Sequence, residues 1–212
     1  MAKDNKKFWN LYANLYDFEI NRFSRAAYTE MYRLMSRTLT KEMNVLEIAT
    51  GTGLIAINIA AYAGSVEAVD FSPKMIAAAN KKSVPDNVRF SVMDATSLDF
   101  ADRTFDAVII SNALHIIPEP DVVLANIRRV LKSDGVLIAP NFTHGHLSKS
   151  SWNLNTAILK FIGFETYAKW LPDEYVEYIN EHGFTIGYRQ LLNAAFPLVY
   201  LEARLRNEET VH

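Results

Sequence analysis

The sequence predicts an α/β fold in which a mostly parallel sheet carries helices on both faces. Short runs of β-branched residues alternate with helical patterns from Val45 onward, and this alternation is typical of such sheets. Half of the 212 residues are hydrophobic, so the chain can bury a substantial core. Two final strand patterns, at 184–192 and 196–205, are joined by a short link, which favours an antiparallel pair.

Five strands and three helices are predicted in order through the central part of the chain. The helix over 54–63 is almost entirely apolar, so we expect it to be buried. Ser72 and Pro73 are typical of a helix N-terminus and open a helix to about Lys82. The run 132–135 is typical of a helix end, here of a helix over 121–131. The five strands are predicted at 44–48, 66–70, 88–92, 105–111 and 136–139.

The two ends of the chain differ from these repeating units. At roughly 150 residues per domain, the length favours one domain over 1–212. Residues 1–40 are helical in pattern and rich in aromatic residues, so we expect a helical lid before a core over 41–140. After strand five, 141–183 is predicted to be a helical insertion that includes a helix over 172–182 ended by Gly183. The final strand pair, over 184–206, brings the predicted sheet to seven strands.

The composition excludes several classes of protein. The 22 Lys and Arg residues nearly balance 24 Asp and Glu residues, so no basic field favours nucleic acid as a partner. The chain has no Cys and therefore no disulfide, Cys-ligated zinc or thiol nucleophile. Residues 1–7 lack a signal-like apolar run, and the stretch 107–118 is about half of the ~20 residues that a spanning helix needs. We expect a cytoplasmic protein without a transmembrane segment, of unassigned oligomeric state.

The loop after the first strand, 49–53, is the first indication of a ligand. Ligands of open α/β sheets bind at the carboxyl ends of the strands. Gly51 and Gly53 let the backbone turn tightly and approach a bound molecule, although such a pair can also form a simple tight turn. Asp70 ends the second strand 19 residues after Gly51, at the position where a carboxylate accepts hydrogen bonds from two ribose hydroxyls.

Two cofactor classes fit this pattern, a nicotinamide dinucleotide and S-adenosylmethionine. Gly51, Gly53 and Ala56 satisfy the permissive form of the dinucleotide motif G-x-G-x-x-G/A. Glu47, inside an otherwise apolar strand, would be close to a pyrophosphate, which is electrostatically unfavourable. The same carboxylate suits the cationic amino acid end of S-adenosylmethionine. Glu47 therefore favours the sulfonium cofactor.

The motifs over 44–140 resemble those of the class I S-adenosylmethionine-dependent methyltransferases. The loop segment 45–53 reads VLEIATGTG, where that family usually has V-L-D/E-L-G-x-G-T-G, so Ala49 replaces a Gly. The resemblance implies a Rossmann-like, doubly wound sheet and an enzyme that uses S-adenosylmethionine. Ser133 and Asp134 also depart from the family, in a helix-ending turn. The other motifs follow in the family's order at 66–75, 93–95, 105–108, 112–115 and 129–135.

The resemblance also implies roles for the cofactor-binding residues. Glu47 would hold the methionine amino group, and Asp70 would accept from the ribose hydroxyls. Residues 12–17 are similar to the lead segment of quinone-biosynthesis and other small-molecule methyltransferases, in which a tyrosine, here Tyr16, helps to cover the cofactor. Gly51 and Gly53 would line the methionine and ribose, Phe71 and Met75 would enclose the adenine, and Asp94 and the Ala95 amide would bind its edge. The full predicted set is Tyr16, Glu47, Ala49, Gly51, Gly53, Asp70, Phe71, Met75, Asp94, Ala95 and Asn112.

A catalytic side chain is optional in such an enzyme, because the sulfonium is already an excellent leaving group. A neutral amine or phenol acceptor would benefit from a base. The candidates are His115 after strand four, and His144 and His146 after strand five, since both strand ends border the predicted cleft. A metal is not predicted, because no third ligand is spaced to join His144 and His146.

The acceptor is predicted to be a small apolar or amphiphilic molecule. Residues 111–114 lack the Asn/Asp/Ser-Pro-Pro-aromatic motif of methyltransferases that act on adenine or glutamine, which again disfavours nucleic acid. Gly183 and Phe184 resemble a segment of phospholipid and thiol methyltransferases, so quinone, phospholipid headgroup and thiol acceptors all stay open. An NAD(P)-dependent oxidoreductase and a non-catalytic S-adenosylmethionine-binding protein are the alternatives. A roof over the acceptor, or simply a buried helix, is predicted from Trp152, Phe161, Phe164, Tyr167 and Trp170.

Overall fold

In the computed structural model, which describes residues 9, 24–144, 166–194 and 197–206, five parallel strands form most of one sheet. Their order is β3-β2-β1-β4-β5, so the chain leaves the centre in one direction and then returns to extend the other side. This reversal places the carboxyl ends of β1 and β4 side by side. The strands are β1 Asn44–Ile48, β2 Ser65–Asp70, β3 Val88–Val92, β4 Phe105–Ile110 and β5 Leu131–Ile138.

Three further strands, β6 Asn141–Phe142, β7 Phe184–Leu192 and β8 Leu198–Leu205, complete the sheet. β8 runs antiparallel to β5, β6 and β7. The predicted antiparallel C-terminal pair is therefore confirmed. Within the described ranges the sheet has eight strands, where seven were predicted, because β5 and β6 pair in turn with the same strand, β8. Pro140 separates the two, and it has no N–H to continue the ladder.

Helices cover both faces of the sheet and enclose two hydrophobic cores. On one face, Met31 and Met35 of α1 pack with Ile55 and Ile59 of α2. On the other face, α4 and α5 bury their apolar sides against alternate residues of β1 and β4. This arrangement confirms the doubly wound α/β prediction. The helices are α1 Arg25–Thr38, α2 Leu54–Ile59, α3 Pro73–Ala79, α4 Pro120–Val130 and α5 Pro172–Glu181.

The structure corrects one predicted helix end and one predicted strand start. α3 ends at Ala79 and not near Lys82, because the amides of Lys81 and Lys82 bond three residues back, as in a tighter turn. The predicted stop signal at 132–135 lies inside β5, which begins directly after α4 and shifts its register against β4 there. The run 132–135 has no register partner in β4, so the predicted turn residues form the irregularity between the pairs Phe105–Leu131 and Ala107–Val136.

Several predicted features lie outside the described residues. They include most of the lid over 1–40, of which α1 and Trp9 are described, and the insertion over 145–165. Tyr16, His146, Trp152, Phe161 and Phe164 belong to these parts. None of the helices formed by the described residues is long and apolar enough to cross a membrane.

Candidate active site

A cleft opens at the carboxyl ends of β1, β2 and β4, where the strand order reverses. This is the position at which open α/β sheets bind ligands. Its walls are mainly apolar, and Asp70 contributes a carboxylate. Seven of the eleven predicted cofactor residues, Asp70 included, line this cleft. The lining consists of Trp9, Ala49, Gly51, Asp70, Phe71, Met75, Met93, Ala95, Ser111, Asn112, Ala113, Ile116 and Ile117.

The loop between β1 and α2 turns sharply because three of its residues have left-handed backbone. The φ angles are 56° at Ala49, 56° at Gly51 and 76° at Gly53. Glycine adopts this conformation without strain, whereas Ala49 does so at a steric cost. The turn brings the Gly51 amide to the cleft, and the Thr50 amide donates to the Val69 carbonyl at 3.0 Å.

Gly53 does not line the cleft but begins α2 and packs against β3. A Cβ added there would lie 2.5 Å from Cζ of Phe90, closer than side chains approach one another. The absence of a side chain at Gly53 therefore permits close packing of the loop on the sheet. Its predicted direct contact with the cofactor stays a prediction.

Asp70 is held at the cleft wall by backbone donors. The Gly51 amide donates to its Oδ2 at 2.9 Å, and the Ser72 amide donates to its Oδ1 at 2.8 Å. Burial raises the pKa of Asp70 to about 6, against the effect of these two hydrogen bonds. Each carboxylate oxygen keeps further acceptor capacity, so the group can receive hydroxyl donors of a ligand.

Glu47 lies beneath the same loop, only 2% exposed and outside the set of residues that line the cleft. Its Oε2 accepts from the Thr50 hydroxyl at 2.6 Å and from the Ala56 amide at 2.9 Å. Burial, with a smaller contribution from the nearby Asp70 carboxylate, raises the pKa of Glu47 to about 8. The structure thus shows Glu47 bracing the loop and α2.

The adenine side of the predicted site is apolar. Phe71, Met75 and Ala95 line the cleft as expected, and Met93 joins them. Ser72 caps α3 as predicted, since its hydroxyl accepts from the Met75 amide at 3.2 Å. Asp94 is not among the lining residues.

Asp94 instead closes a local turn. Its Oδ1 accepts from the amide of Thr96 at 2.9 Å and from the hydroxyl of the same residue at 2.8 Å. Its predicted hydrogen bond to the adenine amine stays a prediction.

Asn112 joins three separate parts of the chain at the cleft wall. Its Oδ1 accepts from the Phe142 amide at 3.0 Å, and its Nδ2 donates to the Tyr28 hydroxyl of α1 at 3.2 Å. Its own amide donates to the Pro140 carbonyl at 2.8 Å, and its φ of 52° turns the chain sharply after β4. Tyr28 was not predicted as a site residue, because nothing in its helical segment indicates a polar contact.

Two of the three candidate bases lie at the ends of β4 and β6, and neither lines the cleft. Nδ1 of His115 is 2.9 Å from Oδ1 of Asn141, and burial lowers the pKa of His115 to about 4. The backbone amide of His144 donates to the Trp170 carbonyl at 2.8 Å, and burial lowers the pKa of His144 as well.

No group of metal-binding side chains occurs among the described residues. Sequence reasoning missed Asn141, although a polar residue directly after Pro140 at the end of the fifth strand is a signal that could have found it. It also missed Ile116 and Ile117, whose apolar side chains resemble ordinary core residues in the sequence.

Residues 46–139 match the family model described as a methyltransferase domain. The chain is 28% identical to a phosphatidylethanolamine N-methyltransferase from Cereibacter sphaeroides, over 77% of this chain and 78% of that protein. It is 42% identical over 100 residues to a demethylmenaquinone methyltransferase from Renibacterium salmoninarum, which covers 47% of this chain and 41% of that protein. The chain thus spans less than half of this second relative.

The solved structure of a DhpI–SAH complex has the same fold, with a TM-score of 0.75, 22% identity and 97% of each chain covered. The cleft fits S-adenosylmethionine, since it combines a backbone turn, a buried carboxylate with spare acceptors and apolar walls. Residues 46–139 thus carry a methyltransferase domain, and the ordered motifs, the sheet and these matches agree with the resemblance to the class I S-adenosylmethionine-dependent methyltransferases, enzymes whose cofactor is S-adenosylmethionine.

Proposed function

We propose that this protein transfers a methyl group directly from S-adenosylmethionine to a small apolar or amphiphilic acceptor. The observation that carries the proposal is Asp70, fixed by the Gly51 and Ser72 amides at the wall of an apolar cleft. The balanced charge supports a small-molecule acceptor over a nucleic-acid target. The absence of Cys supports a cytoplasmic location. We keep the division of one domain into lid, core, insertion and final strand pair as part of this proposal.

The residues of the cleft are proposed to hold the cofactor in three ways. Asp70 accepts from the ribose hydroxyls, while Phe71 and Met75 enclose the adenine. Ala49 and Gly51 leave room for the methionine part. Glu47 and Gly53 support the site by holding the shape of the loop. Supporting roles are proposed for Tyr16, Glu47, Gly53, Asp94, Ala95 and Asn112.

When bound, S-adenosylmethionine supplies an electrophilic methyl group on a sulfonium. The protein has to exclude water and hold the acceptor in line. The ends of β4 and β6 provide His115 and His144 near this region, and His146 follows in the chain. We propose that one of these imidazoles receives the proton of an acceptor that must lose one.

Two aromatic residues of the predicted insertion, Tyr167 and Trp170, are described by the structure and are candidates for one wall on the acceptor side. Trp170 packs against Tyr175 and Tyr178 of α5, with ring centroids 5.4 and 4.5 Å apart, so it belongs largely to the core. Tyr167 is 39% exposed, and its amide donates to the His115 carbonyl at 2.9 Å. We therefore propose Tyr167 as the aromatic residue that contacts an amphiphilic acceptor. The relatives named for phosphatidylethanolamine and demethylmenaquinone support an acceptor of this character.

Calorimetric titration with S-adenosylmethionine tests the cofactor site. We expect Asp70→Ala to weaken binding by about 100-fold, since it removes a buried charged acceptor of two hydroxyls. Asp86→Ala, which removes an exposed carboxylate in the turn before β3, is the matched control and should bind like wild type. Absence of binding by wild type, or equal binding by Asp70→Ala, would refute the proposal.

A screen of acceptors tests the transfer itself. Quinols, phosphatidylethanolamine, thiols, phenols and amines are supplied with S-adenosylmethionine, and production of S-adenosylhomocysteine is measured. We expect turnover with an amphiphilic quinol or with the phospholipid. Cofactor binding without any turnover would instead support a non-catalytic binding protein.

A further inference from the structure

The amide of Asn141 has a defined orientation because of its neighbour. Its Nδ2 donates to the carbonyl of Phe142 at 3.0 Å, and a carbonyl oxygen can only accept. The amide oxygen therefore faces His115, at 2.9 Å from Nδ1. Since an amide oxygen is also only an acceptor, Nδ1 of His115 must carry the hydrogen of this bond.

Asn141 is firmly held in this position. It is 1% exposed and pairs with Val199 in the β6–β8 ladder. The next residue, Phe142, donates its amide to the cleft residue Asn112. One short strand thus orients the His115 ring and at the same time fixes the wall of the cofactor cleft.

The groups around His115 favour its neutral form. Burial is the largest effect on its pKa, and His144 lowers that pKa further. In the described part of the predicted insertion, the backbone amides of Tyr167 and Ala168 donate to the His115 carbonyl. Lys169 and Glu174 act on His144 with opposite signs. No carboxylate among the described residues is hydrogen-bonded to the His115 ring.

We propose that Asn141 is a positioning residue that holds His115 in the Nδ1–H tautomer, so that Nε2 presents its lone pair as the proton acceptor in methyl transfer. This inference rests on the proposed function. The proton that the acceptor loses moves to Nε2 and gives an imidazolium, which later returns the proton to water. Overall, the acceptor exchanges a proton for a methyl cation, and the electron pair of the broken carbon–sulfur bond stays on sulfur.

Nitrogen-15 NMR of the histidine rings tests the tautomer without any need for activity. In wild type we expect His115, assigned by the loss of its signal in His115→Gln, to be the Nδ1–H tautomer at pH 7. In Asn141→Ala we expect a mixture of tautomers. Asn126→Ala removes another amide, which bonds Thr96 and Val122, and should leave His115 unchanged. His182 has an acceptor at each ring nitrogen, since its Nδ1 is 2.6 Å from the Tyr178 carbonyl and its Nε2 is 3.1 Å from Oδ1 of Asp121, so it provides a contrasting internal reference.

Asn141→Asp keeps a side chain of nearly the same shape and supplies a second test. This test also serves if Asn141→Ala fails to fold. A carboxylate beside Nδ1 should raise the pKa of His115 by about one to three units. The acid limb of the pH–rate profile should move to higher pH by the same amount.

In Asn141→Ala, kcat should fall about tenfold or more with little change in KM for S-adenosylmethionine.

The outcomes separate this inference from the proposed function. An Nε2–H tautomer in wild type, or an unchanged tautomer in Asn141→Ala together with an unmoved pKa in Asn141→Asp, would overturn it. A changed tautomer with unchanged kcat would also overturn it, because Asn141 would then have only a structural role. Failure of the proposed function would appear separately, as absence of cofactor binding in wild type.

Discussion

The regions on the two sides of the cleft carry opposite kinds of titratable group. The cofactor side, after β1 and β2, carries the carboxylates Glu47 and Asp70, whose pKa values are raised by burial. The proposed acceptor side, after β4 and β6, carries the imidazoles His115 and His144, whose pKa values are lowered by burial. One physical cause, loss of water, thus favours the neutral form of both acids and bases.

The two sides also differ in how their groups are held. Glu47 and Asp70 accept from backbone amides that lie within 19 residues along the chain. After β4, the side chains of Asn112 and His115 bond to Phe142 and Asn141, which come from a later strand. The comparison teaches that the cofactor side is a local structure, whereas the acceptor side exists only when distant strands meet.

The largest expected effect tests whether the two sides act separately. His115→Gln keeps a polar side chain but removes the proton acceptor, so kcat should fall about 100-fold. The Kd for S-adenosylmethionine should stay within about twofold. His182→Gln, at the end of α5, is the matched control and should change neither value. A parallel loss of cofactor affinity in His115→Gln would show that the two sides are one unit.

The next effect is the pH dependence of stability caused by Glu47. Its folded pKa of about 8 lies above the unfolded value of about 4.3. The contribution of Glu47 to the free energy of unfolding is therefore greatest in acid and falls until the pH exceeds 8. Asp70 acts in the same direction but only up to about pH 6. Between pH 6 and 8, wild type should therefore lose about 2 to 3 kcal/mol of unfolding free energy, through Glu47.

Glu47→Gln should remove most of that fall, as measured by urea unfolding of the ligand-free protein at several pH values. Glu67→Gln on the neighbouring strand β2, where the side chain is partly exposed, is the matched control and should follow wild type. Equal slopes for Glu47→Gln and wild type between pH 6 and 8 would contradict the contrast between the two sides.

A smaller effect concerns the packing of the cofactor loop. Gly53→Ala places a Cβ at 2.5 Å from Phe90 and adds a side chain at a φ of 76°, so it should destabilise the fold by about 2 kcal/mol. Adding Phe90→Leu should recover part of the loss and leave the backbone strain of about 1 kcal/mol. No recovery in the double variant would mean that contact with Phe90 is not the cause.

The smallest effect concerns Ala49. Its φ of 56° suits glycine, so Ala49→Gly should stabilise the protein by roughly 0.5 to 1 kcal/mol despite the greater freedom of the unfolded chain. Ala77→Gly, at an exposed position of α3, is the control and should instead destabilise by about 1 kcal/mol. Thermal unfolding measures both, and destabilisation by Ala49→Gly would contradict strain in the loop.

The sequence by itself determined the order of elements and the local part of the site. Strand and helix patterns extend over a few residues, so β1, β3 and β7 were predicted with the bounds that the structure has. The spacing of Gly51 and Asp70 predicted their common place in the cleft, and their 2.9 Å hydrogen bond agrees with it. Turn chemistry predicted Ser72 as a helix cap in the same way.

Only the tertiary structure decided which groups lose water and which atoms they face. Glu47 lies beneath its loop, Gly53 packs on Phe90, and Asn141 orients His115 from 26 residues away. Burial and side-chain direction depend on neighbours from other strands, and a local pattern does not contain those neighbours. The family and its cofactor could therefore be predicted from the sequence, whereas the protonation of the site required the fold.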